Sequence, residues 1–95
     1  MYQIYTFPAC DKCHRAAEIF REKGIGFEEI SAASLDGRTK LKEFSKQYRD
    51  KIRKDGKGWL VLPLIVRREE SDVRIYQGEE GLAEVLEENE SIKSS

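Results

Sequence analysis

The feature that most constrains this chain is the join at residues 3 to 14, Gln3-Ile4-Tyr5-Thr6-Phe7-Pro8-Ala9-Cys10-Asp11-Lys12-Cys13-His14, where an apolar run meets a helical pattern and both cysteines fall. Ile4, Tyr5, Thr6 and Phe7 favour a strand, and Pro8 ends it. The spacing Cys10-Asp11-Lys12-Cys13 sets the two sulfurs one helical turn apart, within reach of a bond to each other. The two thiols are not equivalent. Cys10, at the first turn of the helix, faces unpaired N–H groups and the positive end of the helix dipole, which favour its thiolate. Cys13 lies on an apolar stripe with Ala16, Ala17 and Phe20, where burial disfavours charge. Lys12 and His14 are the neighbours expected to modulate the Cys10 thiolate, with Asp11 opposing Lys12.

Two other chemistries use similar residues. Cys10 to His14 also fits the C-x-x-C-H pattern of haem attachment, but the only methionine is Met1 and there is no second histidine to complete an axial pair. A structural zinc site needs four ligands, and Cys10, Cys13 and His14 exhaust the soft ones, so no metal is expected. Two cysteines are too few for a secreted disulfide framework, and a reduced, cytoplasmic dithiol is the better reading. No run approaches the roughly 18 apolar residues of a membrane span. A net charge of -1 on 95 residues gives no reason to expect nucleic acid. The length supports one core, expected as a single monomeric domain over residues 1 to 90 with a frayed tail at 91 to 95.

Along the chain, residues 2 to 7 read as a central strand and Asp11 to Lys23 as an amphipathic helix stopped by Gly24. Phe27 to Ile30 is a second strand, parallel to the first because a helix joins them. Ser34 or Asp36 would cap a second helix, whose apolar positions Leu41, Phe44, Tyr48 and Ile52 carry it to about Asp55-Gly56. Its outer face is basic: from Arg38 to Lys57 nine Lys/Arg oppose three carboxylates, a net of +6. Such a face reads first as solvated surface and second as a place for a protein to dock. Trp59 to Val66 and Val73 to Tyr76 form a hairpin, with Trp59 expected to pack at the start of its strand and Pro63 interrupting the run. Gly78 opens a last helix on an acidic background, a net of -8 from Glu69 to Glu90.

The order β-α-β-α-β-β-α, with Tyr5-Thr6-x-x-x-Cys10-x-x-Cys13 at the front, Val61-Leu62-Pro63 in the middle and Gln77-Gly78-Glu79-Glu80-Gly81-Leu82 near the end, resembles the glutaredoxins of the thioredoxin superfamily. The resemblance implies an α/β fold with a four-stranded mixed sheet, three flanking helices and a cis bond before Pro63 facing the dithiol. It implies a thiol-disulfide oxidoreductase, an electron carrier in cell redox homeostasis, with Cys10 and Cys13 catalytic and Leu62, Pro63, Gly78 and Glu79 meeting the substrate. No bound cofactor is implied; the partners would be a disulfide-containing protein and either glutathione or a thioredoxin-reductase-type donor. Three positions depart from the family pattern. Phe7 stands where a lysine meets the glutathione carboxylate, Val61 replaces a threonine, and Gly78-Glu79 has one glycine where the family has two. Glutathione is therefore expected to be a weak reductant. The Pro8-Ala9-Cys10 lead-in is also similar to the arsenate reductase and Spx-like branch. That likeness implies an alternative, a redox-sensing binding module whose Cys10–Cys13 bridge alters partner binding.

Overall fold

The computed structural model describes residues 1–93, with side chains through Asn89. Strands β1 (Tyr2–Thr6), β2 (Phe27–Ser31), β3 (Leu64–Arg68) and β4 (Val73–Gln77) form one sheet in the order β2-β1-β3-β4. β1 and β2 are parallel, whereas β1–β3 and β3–β4 are antiparallel. Helices α1 (Asp11–Glu22), α2 (Leu35–Gln47) and α3 (Gly78–Lys93) complete the mixed α/β fold. α3 continues into the stretch expected to fray, and positions 94 and 95 of that stretch lie outside the described residues.

Alternation along the central strands divides the core in two, because successive side chains point to opposite faces. Ile4 and Ile65 join Ala17 and Phe20 of α1 and Val85 of α3 on one face. Tyr5, Leu64 and Val66 join Ile30 and Phe44 of α2 on the other. Each fully buried side chain of this size contributes about 1.5–3 kcal/mol of hydrophobic stabilisation. α1 ends as its sequence demands. Gly24 takes φ 69°, its N–H donates to the Arg21 carbonyl at 3.2 Å, and the Ile25 N–H reaches the Phe20 carbonyl at 2.9 Å. That is a Schellman closure, with Phe20 and Ile25 in the same apolar cluster.

Three expectations are corrected. α2 stops at Gln47 rather than near Asp55, although Tyr48 and Ile52 still pack on the second core. Past the helix the Tyr48 carbonyl accepts the N–H groups of Lys51 at 2.9 Å and Ile52 at 3.1 Å, and the Arg53 N–H then donates to Gln77 Oε1 at 2.7 Å, which fixes the chain where the next turn begins. The chain then forms a small turn closed by the Lys54–Leu60 bridge. Trp59 sits in that turn at 71% exposure, not packed at the start of a strand. β3 begins only at Leu64, one residue past Pro63, so the proline precedes an interior strand without occupying it.

Candidate active site

β1 ends at Thr6, and residues 7 to 10 carry the chain over the sheet edge to the start of α1. Cys10 is the N-cap in extended conformation, and its Sγ accepts the Cys13 N–H at 3.1 Å. The cysteine thus takes the place that a serine or aspartate oxygen fills at other helix starts. Cys10 and Cys13 are joined in a disulfide, with Cα atoms 5.3 Å apart. Cys13 is fully buried on the inner side of α1, whereas Cys10 is half-buried and opens on a cleft of about 690 Å³. The pair therefore has an outer and an inner sulfur.

The opposite wall of the cleft is the segment that enters β3: Leu60, Val61 and Leu62 line it together with Phe7, Cys10 and Lys12. The Leu62–Pro63 bond is cis, and Pro63 is buried directly behind Leu62. Gly78 supports this wall. It adopts φ 72°, its N–H donates to the Pro63 carbonyl at 3.1 Å, and an added Cβ would stand 3.2 Å from Val61 Cγ1. Of the residues singled out from sequence, Cys10, Leu62 and Lys12 thus meet at one cleft, with Cys13, Pro63 and Gly78 immediately behind it. Glu79, exposed on the first turn of α3, and His14, exposed on α1, do not line it.

Sequence reasoning missed Gln77. It is 3% exposed, and its Nε2 donates to the carbonyls of Arg53 at 2.9 Å and Val61 at 3.1 Å, while Oε1 accepts the Arg53 N–H. The Arg53 guanidinium returns a bond to the Gln77 carbonyl at 3.0 Å. This clamp ties both ends of the 53–61 turn to the end of β4 and so holds the cleft wall in place. The one available signal was a glutamine closing an apolar strand, a polar group that burial obliges to find partners. Among the described residues, no group of three or more His, Cys, Asp or Glu is arranged to hold a metal, and no helix is long and apolar enough to cross a membrane.

Comparison with known proteins places this geometry. The glutaredoxin family matches residues 3–70, a stretch that includes both cysteines and Pro63. A glutaredoxin from Brucella melitensis, solved in solution, is 26% identical, with a TM-score of 0.51 over 98% of this chain and 84% of that one. A point mutant of the thioredoxin-like protein BC3987 shares the fold at 15% identity, with a TM-score of 0.54 over 92% of this chain and 96% of that one. None of the curated proteins matches the chain by sequence.

Proposed function

Because this chain belongs to the glutaredoxin family, we propose that it is a dithiol thiol-disulfide oxidoreductase in which Cys10 attacks and Cys13 resolves. The observation that carries the assignment is the placing of the two sulfurs: Cys10 at the helix start on an open cleft, Cys13 buried one turn behind it. The Cys10 thiolate attacks one sulfur of a substrate disulfide; that S–S bond breaks, and the departing thiolate takes a proton. Cys13 then loses its proton and attacks Cys10 Sγ. The mixed disulfide breaks, the substrate leaves as a dithiol, and the protein is left in the bridged form that the structure describes. The Cys13 N–H, aimed at Cys10 Sγ, is a donor for the thiolate charge before attack and as Cys10 leaves the mixed disulfide. Cis-Pro63 and Leu62 form the wall along which a substrate backbone would lie, and Lys12 lines the cleft together with the carboxylates of Asp11 and Asp55.

The protein reduces disulfides of other proteins, as a monomer in a reducing, cytoplasmic setting. Its own bridge is reopened by a thioredoxin-reductase-type donor more readily than by glutathione, because Phe7 offers an apolar ring where the glutathione carboxylate would need a cation. Two variants test the roles. Cys10→Ser should abolish reduction of a model disulfide, whereas Cys13→Ser should still attack and accumulate as a mixed disulfide, detectable by intact mass. Mixed-disulfide capture by Cys10→Ser, with none by Cys13→Ser, would reverse the assignment.

A further inference from the structure

The dithiol cleft does not end at Leu60. A second depression, of about 650 Å³, shares Phe7 and Leu60 with it and runs beside α2. Leu41 and Ile52 continue its apolar floor, and Arg38, Lys42, Lys46, Arg49 and Lys54 stand along its rim. No carboxylate lines it. Lys40, on the same helix but outside the groove, pairs with Asp36 at 3.3 Å. Among the described residues, Lys42, Lys46, Arg49 and Lys54 make no ion pair. Arg38 is held in place by its Nε donating to the Ala32 carbonyl at 2.9 Å. At the Leu60 end, Trp59 stands exposed on its turn, the kind of aromatic that anchors protein interfaces. A solvated helix face would carry these charges without an apolar trough between them or an opening onto a reactive sulfur.

We propose that this groove docks an acidic segment of the substrate protein, carrying an apolar anchor between carboxylates, next to the disulfide presented to Cys10. The inference rests on the oxidoreductase reading and names its substrate class. Charge complementarity selects the occupant: a rim of cations lacking carboxylate partners attracts a run of Asp and Glu, and the apolar floor takes the side chain between them. From Arg38 to Lys46, both on α2, the rim is about 12 Å long at the helical rise, matched by about four residues of extended peptide. Single-stranded nucleic acid fits less well, because it calls for successive aromatic faces on which bases stack, and the floor is mainly aliphatic.

The test uses two synthetic peptides with the same internal disulfide, one flanked by Glu-Leu-Glu-Asp and the other by Gln-Leu-Gln-Asn. Single-turnover reduction by the pre-reduced protein should be about tenfold faster for the acidic peptide at low salt. The advantage should vanish near 1 M salt, where the Debye length is about 3 Å. Combined Lys42→Glu, Lys46→Glu and Arg49→Glu should reverse the preference, and the matching Gln series should erase it. Equal rates for the two peptides, or a preference that survives these substitutions, overturns the proposal. Anisotropy of a labelled, cysteine-free acidic peptide reads docking without chemistry; tighter binding of a single-stranded oligonucleotide would assign the groove to nucleic acid and also overturn it. Failure of the wild-type protein to reduce a small neutral disulfide would remove the oxidoreductase reading, while the anisotropy still decides the groove.

Discussion

Gln77 shows how much one side chain can hold. Its amide satisfies the backbone of Arg53 in both directions and caps Val61 as well, so the wall of the dithiol cleft depends on a residue that does not line it. Gln77→Leu leaves these groups without partners in a partly buried site, a cost of about 1–3 kcal/mol. It should lower the denaturant midpoint and weaken protein-disulfide reduction more than reduction of a small disulfide; equal losses on both substrates would show that Gln77 matters to stability alone. Phe7 lies in the cleft itself. Phe7→Lys adds a charge-assisted contact for a carboxylate, worth about 1.5–3 kcal/mol. Glutathione-dependent turnover should then rise about tenfold to a hundredfold. No gain in that assay would mean that another part of the cleft governs glutathione.

At the scale of elements, one carboxylate of α3 gathers several polar groups of the sheet, beside the apolar contact of Val85 and the bond from Asn89 Nδ2 to the Tyr2 hydroxyl at 3.2 Å. Glu88 accepts from the Tyr76 hydroxyl at 2.7 Å and pairs with Arg67 at 3.2 Å and Arg74 at 3.4 Å; the Tyr2 hydroxyl lies 3.4 Å away. Burial, and then the hydrogen bond to Glu88, push the Tyr76 hydroxyl above its ordinary value of 10.0. Burial raises Tyr5 likewise. A phenol whose folded value lies higher holds its proton while the unfolded chain gives its proton up. The associated stability is therefore complete below pH 10 and is lost as pH rises through the folded value. Urea unfolding followed from pH 8 to pH 12 should show a level limb and then a fall. Tyr76→Phe should be less stable near neutrality, having lost the bond to Glu88, and should fall less steeply above pH 10. An unchanged alkaline slope in that variant would assign the loss to other groups.

For the molecule as a whole, β3 is the member that both halves of the core share. Leu64, Ile65 and Val66 are all fully buried, yet Ile65 faces α1 and α3 while its neighbours face α2. Ile65→Ala should cost about 2–5 kcal/mol, a large part of the roughly 5–15 kcal/mol that holds a domain of this kind together. The loss should appear as one cooperative transition at a lower midpoint, together with faster alkylation of Cys13 in the reduced protein, because α1 rests on the same cluster. Two separate transitions would mean that the two faces unfold independently. Charge is divided across the molecule as well: the basic stretch carries +6 and the acidic one -8 within a chain of net charge -1.

The sequence by itself determined the parts whose causes are local. The β-branched and aromatic run of β1, the 3.6-residue stripe of α1 and its Gly24 stop, the one-turn spacing of Cys10 and Cys13, and the hairpin of β3 and β4 all follow from neighbours a few positions apart. The element order followed too, and with it the family. What only the tertiary structure decided was wherever a distant group outbid a local preference. The apolar spacing through Ile52 favours a longer α2, yet the helix closes at Gln47, and beyond it Gln77, 24 positions from Arg53, bonds that residue's backbone and holds the turn that follows. That turn leaves Trp59 in solvent and brings Leu60 between two depressions. The basic residues were legible as a count, whereas their arrangement round an apolar trough leading to Cys10 was not, because it depends on where α2 ends and where the returning segment crosses it.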